Sequence, residues 1–406
     1  MSQRTHWTTG SLPLPLPLAG VTVVSLEQAV AAPFATRQLA DLGARVIKVE
    51  RPGGGDFARR YDESVHGQSS YFVWLNRSKE SITLDVKTPA GREILTELIS
   101  GADVLVQNLA PGAAGRLGID PDSLAKHHPR VIPCSISGYG QDGPWADRKA
   151  YDLMLQCETG LVSLTGGPAE MAKAGIPVAD IAAGMYAYTG ILTALYRRAT
   201  TGWISSVEVS LFDALAEWMG SPANYTRYGG AQPQRTGAQH ATIAPYGPFT
   251  TAEDDIVLLG IQNEREWQAF CAIVLDDAAV AEDERFRTNS LRVAHRTELN
   301  AVIEARLQTM PTDTAIALLD KATVANSRLN SVAEFLDHPV LTERDRWREV
   351  GTPNGTIQAL LPPANLTDLE PVMNPVPSAG EHTDGILRDL GRDPDAIAAL
   401  RAEGVV

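Results

Sequence analysis

Cysteine is scarce: Cys134, Cys157 and Cys271 are the only three among 406 residues, an odd number with no Cys-x-x-Cys spacing. That excludes a disulfide framework and a thiolate metal site, and it fits a reducing, cytoplasmic setting. Basic charge is short as well, with 35 Lys plus Arg against 49 Asp plus Glu, a net of −14, and no run of cations. Nucleic acid is not an expected partner, and an anionic ligand would need cations gathered locally against the field of the whole protein. No apolar run is long. The longest, residues 181–196, has 16 residues, short of the roughly 20 that span a bilayer, so no membrane partner is expected. The N-terminus has no signal-peptide core, because proline takes every second place in residues 11–18 and keeps that segment extended, as a surface arm.

The remaining composition, 44% hydrophobic with 34 Gly and 26 Pro, is that of a globular protein with two or three folding units. From Val21 two periods alternate: a β-rich run at 21–26, a helical stretch at 33–42 stopped by Gly43, and a second run at 45–49. The pattern recurs with a helix at 89–99, a buried strand at 104–107, an amphipathic segment near Leu124 and a strand at 131–135. Such alternation predicts an α/β fold with a doubly wound, mostly parallel sheet. The first βα turn lacks G-x-G-x-x-G, which removes most support for a dinucleotide site. Gly53–Gly55 follows the second strand and reads as a mobile loop. Proline and glycine break the periods at 221–240, as a linker does. The expected units are therefore a large Rossmann-like domain at 1–221, a linker and smaller α+β domain at 222–332, and a return segment at 333–406 that completes the first. The smaller unit is expected to hold a strand at 256–259 and helices at 267–274, 297–308 and 312–319. The return segment is expected to hold a strand at 356–361 and a terminal helix at 384–390.

Asp180 stands alone ahead of a long helix rich in small residues. It reads either as an N-cap, worth about 1 kcal/mol, or as a catalytic carboxylate, and the two roles are compatible because a helix N-terminus favours the ionised form. Asp152 and Gln156 read as site walls or as the polar start of a helix. Arg59, Arg60, Arg77 and Lys79, close in sequence, read individually as solvated surface charges, as does the pair His127 and His128.

These stretches carry a family resemblance. Residues 17–21 (PLAGV), 42–56 (LGARVIKVERPGGGD), 76–85 (NRSKESITLD), 106–112 (VQNLAPG), 138–140 (GYG) and 380–384 (GEHTD) occur in an order that resembles the family III CoA-transferases almost end to end. Residues 201–205 depart from the family's glycine-rich turn, at what is expected to be a surface hairpin. The resemblance implies an interlocked homodimer and transfer of CoA from an acyl-CoA, such as succinyl-CoA or another dicarboxylyl-CoA, to a small carboxylic acid. It places Asp180 at the family's nucleophile, working through an aspartyl anhydride and an aspartyl-CoA thioester. It assigns Ala29, Val30, Ala31, Arg51, Asn108, Arg116 and Lys149 to CoA, with the CoA thioester as substrate and neither a metal nor a tightly bound cofactor. Tyr151, where the racemising branch has histidine, is a weak base near pH 7 and disfavours a 2-methylacyl-CoA racemase. A non-catalytic acyl-CoA binding protein would not need the Asp180 carboxylate. The segments around Arg235 and His240 and around Gln262 and Asn263 resemble the branch that handles small dicarboxylates, and they join Tyr151, Asp152 and Gln156 as the expected substrate pocket. The family's glycine-rich active-site loop is shorter here, and no gating role follows for residues 260–267.

Overall fold

Short apolar, β-branched runs form a six-stranded sheet in the computed structural model, which describes residues 16–364, 366 and 368–406. Most of the proline-alternating segment lies outside the described residues. The strands are β1 (Thr22–Leu26), β2 (Arg45–Glu50), β3 (Lys79–Thr83), β4 (Val104–Gln107), β5 (Ile132–Ser137) and β6 (Val207–Ser210), in the order β3-β2-β1-β4-β5-β6. Every neighbouring pair is parallel. Strand order reverses between β1 and β4, and in doubly wound sheets ligands sit beyond the carboxyl ends at that reversal.

The sequence reading does not anticipate β3 or β6. β3 reads KESIT, too polar for a buried strand, yet Lys79, Ser81 and Ile82 are all buried, and Lys79 finds its partners on distant segments. The first crossover helix, α1 (Ala31–Asp41), starts two residues before the expected position and packs its alanines and Leu39 under the sheet. It ends at Gly43, whose φ of 95° suits only glycine.

Residues 374–383 close the outer edge of β3. Asn374 and Pro375 carbonyls accept from Ser78 N, His382 N donates to Ser81 O at 2.9 Å, His382 Nδ1 accepts from Ser81 N at 3.2 Å, and Thr383 Oγ1 accepts from Thr83 N at 3.1 Å. A helix at Thr383–Asp389 follows, and a further helix at Pro394–Ala402 lies beyond the one expected as terminal. Its Ile397 joins Ile386, Leu387 and Val405 on the core of Ile82, Leu84, Ile94 and Leu98.

The chain packs as two compact units, one of residues 16–159, 175–220 and 345–406, the other of Gly160–Ala174 and Ser221–Arg344. Part of the expected linker is instead a helix, Gly220–Gly229. Residues 201–205 form no hairpin: Gly202, at φ 76°, caps a long helix, and the chain runs on into β6. The second unit has an antiparallel sheet of β7 (Tyr246–Thr250), β8 (Ile256–Gly260) and β9 (Ala325–Arg328). Its core joins Trp267, Phe270, Phe286, Leu299 and Ile303.

Candidate active site

Two helices of the first unit bring a pair of carboxylates together. These are α2 (Asp152–Glu158) and α3 (Val178–Thr201). α3 has 24 residues, long enough to cross a bilayer, but Ala179, Ala183, Ala187 and Ile191 form a buried ridge at four-residue spacing, as in a core helix. Gly184 lets α3 approach α1 so closely that a Cβ there would stand 2.7 Å from Ala31 O and 3.1 Å from Phe34 Cβ.

Pro177 precedes α3 and offers no side-chain cap. Asp152 supplies one from the other helix, its Oδ1 accepting from Ala179 N at 2.8 Å and Asp180 N at 3.2 Å. Its Oδ2 accepts from Gln156 Nε2 at 2.6 Å. Asp180 is therefore the third residue of the helix, capped by Asp152, and is not itself the N-cap. Burial lifts the Asp180 carboxyl to about 7, and the Asp152 carboxylate adds to the rise. The favourable helix terminus expected for its ionised form is outweighed. Such a group is partly protonated at neutral pH, and its ionised form is a stronger nucleophile than an ordinary carboxylate.

The turn after β1 meets the amino end of α1. Gln28 N donates to Asn108 Oδ1 at 2.9 Å and Gln28 O accepts from Asn108 Nδ2 at 2.8 Å, so this side chain ties β1 to β4 at the strand-order reversal. Ala29 adopts φ 62°, left-handed and unfavourable for a residue with a Cβ. Val30 caps α1 without a side-chain bond, and Ala31 and Ala32 open it.

Beneath this turn lies a buried set of three acids and three bases that sequence reasoning missed. Lys48 Nζ meets Asp56 Oδ2 at 2.8 Å and Glu27 Oε1 at 3.3 Å. Lys79 Nζ meets Glu27 Oε1 at 2.6 Å, and Glu27 Oε2 accepts from Thr36 at 2.5 Å. Arg59 grips Glu50 at 2.6 and 2.8 Å and lies 3.7 Å over Phe72. Burial opposes the charges of Lys48, Glu27, Glu50 and Lys79. The partners outweigh it at Lys48, raised, at Glu27, lowered, and at Glu50, held near 2, whereas burial prevails at Lys79, which falls to about 8. Arg77 is buried on Asp41 at 2.7 and 2.8 Å. Of the four cations read as solvated, Arg59, Arg77 and Lys79 are thus structural ion pairs, and Arg60 is exposed. The one available signal was Lys48, a charged residue between the apolar Ile47 and Val49 in mid-strand.

Arg51, Arg116 and Lys149 follow β2, β4 and β5 on the carboxyl side of the sheet, are exposed, and make no ion pair among the described residues. Tyr151 is 64% exposed, while Gln156 is buried. Tyr61, unremarked in the sequence, packs edge-on to Tyr71 at 5.6 Å. Its hydroxyl is pushed up to about 12 by burial and by the fields of Asp56, Asp180 and Tyr151.

The other expected pocket residues belong to the second unit. Arg235 donates to the carbonyls of Gly167 at 3.0 Å and Pro168 at 3.2 Å, binding residues 160–174 to the loop that follows the Gly220–Gly229 helix. His240 stacks on Tyr246 with centroids 5.1 Å apart, and its carbonyl accepts from Arg296 at 2.8 Å. Asn263 caps the helix Glu264–Ile273, accepting from Glu266 N at 3.0 Å, and Gln262 N donates to Glu266 Oε2 at 2.8 Å. Arg235 and Asn263 thus each have a structural task in the second unit.

A doubly wound sheet with a raised, half-buried carboxylate in the same unit and exposed cations following its strands suits an anionic, nucleotide-bearing ligand. The chain matches CoA-transferase family III over residues 18–383 and belongs to that family. It is 33% identical to the succinyl-CoA:glutarate CoA-transferase of Mus musculus, covering 96% of this chain and 90% of the relative. It is 36% identical to the acetyl-CoA:oxalate CoA-transferase of Acetobacter aceti, over 81% and 85%. A crystal structure of a CaiB/BaiF family protein from Brucella suis superimposes with a TM-score of 0.83 at 34% identity, covering 93% of this chain and all of that one. The protein is a CoA-transferase acting between acyl-CoA thioesters and carboxylic acids.

Proposed function

We propose that this protein transfers CoA between small dicarboxylic acids with Asp180 as the nucleophile. The observation that carries the reading is the Asp180 carboxyl, lifted to about 7 by burial and by Asp152. Ionised Asp180 attacks the donor acyl carbonyl, the carbon–sulfur bond breaks, and CoA leaves as thiolate with a mixed anhydride behind it. The thiolate then attacks the aspartyl carbonyl, releasing the donor acid and leaving an aspartyl-CoA thioester. The acceptor carboxylate repeats both steps in reverse, and Asp180 returns as a carboxylate with no net proton consumed. Both adducts are uncharged at Asp180. The burial and like charge that disfavour the free carboxylate do not burden them, so the site favours the covalent states over its own resting form.

Arg51, Arg116 and Lys149 take the CoA phosphates, with Asn108 fixing the turn of Ala29, Val30 and Ala31 that lines the thioester. Glutarate and oxalate in the relatives' names support a dicarboxylate acceptor. Within the second unit Arg235 and Asn263 hold the loops that carry His240 and Gln262. The enzyme works as a homodimer in the cytoplasm without a tightly bound cofactor. Exposed Tyr196, Trp203 and Tyr228 supply apolar surface for a second copy. Turnover with succinyl-CoA and a panel of acids in the presence of hydroxylamine tests the reading. An aspartyl hydroxamate forms at Asp180, and dicarboxylates exceed hexanoate in kcat/KM. An unmodified Asp180 in an enzyme that is turning over removes the mechanism, and a preference for hexanoate removes the substrate class.

A further inference from the structure

The glycine run after β2 and the acid that follows it have no part in the chemistry above, yet their geometry points back at the active-site turn. Gly55 has φ 60°, and a Cβ there would stand 2.6 Å from Glu50 Oε2 and 3.0 Å from Arg59 Nε, so the chain turns beneath Glu50 only as glycine. The turn delivers Asp56, 2% exposed, under the end of β1. There Asp56 N donates to Glu50 Oε2 at 2.8 Å and Oδ2 meets Lys48 Nζ at 2.8 Å. Oδ1 accepts from Ala58 N at 2.9 Å and from Ala29 N at 3.2 Å. Ala29 is the residue held left-handed, a conformation unfavourable for a side chain with Cβ. Two residues on, Ala31 O lies against Gly184, which shares a face of α3 with Asp180 four residues earlier. Contacts therefore run without a break from Lys48 through Asp56 to Ala29, and the turn so held abuts the helix of the nucleophile.

We propose that Asp56, itself fixed by Lys48, is a positioning residue for acyl transfer, holding Ala29 left-handed so that the backbone of residues 29–31 is set against Asp180. This rests on the reading of Asp180 as nucleophile and of residues 29–31 as the thioester-lining turn. Were Asp56 only a counter-ion for Lys48, its loss would lower stability without regard to the residue at position 29. Positioning predicts a dependence on that residue, because glycine reaches φ 62° unaided and an alanine needs the Asp56 bond to stay there.

The test is a double-mutant cycle of Asp56→Ala and Ala29→Gly on the full chain. The single-turnover rate of thioester formation is read by protein mass, kcat and KM by steady state, and CoA affinity by calorimetry. Asp56→Ala is expected to slow thioester formation and kcat by about 10- to 100-fold, with KM and CoA affinity unchanged. Adding Ala29→Gly recovers most of that loss. Additive effects, or an Asp56→Ala enzyme as fast as wild type, overturn the proposal. Where Asp56→Ala does not yield folded protein, Asp56→Asn enters the same cycle, and a loss that Ala29→Gly fails to restore again overturns it. If hydroxylamine leaves Asp180 unmodified, the nucleophile reading falls alone. The coupling of residues 29 and 56 is then judged on kcat/KM, where additivity overturns it.

Discussion

Two charge clusters sit in the first unit, one buried and one half-buried, and are built on opposite terms. Under the β1 turn, Glu27, Glu50 and Asp56 are matched by Lys48, Lys79 and Arg59, and the charges stay because each carboxylate has a cation within 3.3 Å. At the start of α3, Asp152 lies against Asp180, and its like charge adds to burial in lifting the Asp180 carboxyl. The first arrangement keeps its groups ionised and rigid, while the second leaves one carboxyl uncompensated, as the proposed nucleophile requires. A structural ion cluster and a reactive site are both polar interiors, and what separates them is the balance of sign.

Breaking the balanced cluster has the largest expected effect. Lys48→Met leaves Glu27 and Asp56 with less compensation in a dry interior, and urea unfolding should show a loss of about 3–5 kcal/mol or a chain that does not accumulate. A variant as stable as wild type would mean that Lys48 is not what keeps those acids buried.

Removing one charge from the unbalanced pair sharpens the contrast. Asp152→Asn keeps an oxygen for the Ala179 and Asp180 amides and deletes the repulsion, so the Asp180 pKa falls below about 7. The acid limb of kcat/KM moves to lower pH with it. An acid limb that stays in place would separate Asp180 from the titration that governs rate.

The smallest effect is on stability. Because the folded carboxyl of Asp180 titrates near 7 rather than 3.8, the folded state loses stability as pH rises through that window, and the loss is complete above it. Asp180→Asn, though inactive, should raise Tm by roughly 2–4 °C at pH 8 and leave it unchanged at pH 4. An equal gain at both pH values would point to packing in place of charge.

What could be read from the amino-acid order follows from the range of the forces involved. β1, β2 and β4 were legible because each is an apolar run that declares its own burial. β3 was not, since Lys79 is neutralised by Glu27, 52 residues away. The same distance effect made Arg77, whose partner Asp41 lies 36 residues away, look like a surface charge. Asp180 stood out through its place in a family pattern, but its cap did not, because Asp152 lies 27 residues from the first amide it accepts. Asp56 was passed over as the tail of a glycine loop, and only the fold reveals that its carboxylate ends under Ala29.

The strap that closes β3 also has a bearing on synthesis. His382 and Thr383 reach Ser81 and Thr83 from about 300 positions later in the chain. At ordinary ribosomal rates of about 5–20 residues per second, the edge of β3 waits roughly 15–60 s after leaving the ribosome before its partner exists. An unpaired edge is an invitation to pair with another nascent chain, and charge on the strand is a known deterrent. The lysine and glutamate that make KESIT hard to recognise as a strand are charges of the kind that deter such pairing through that interval.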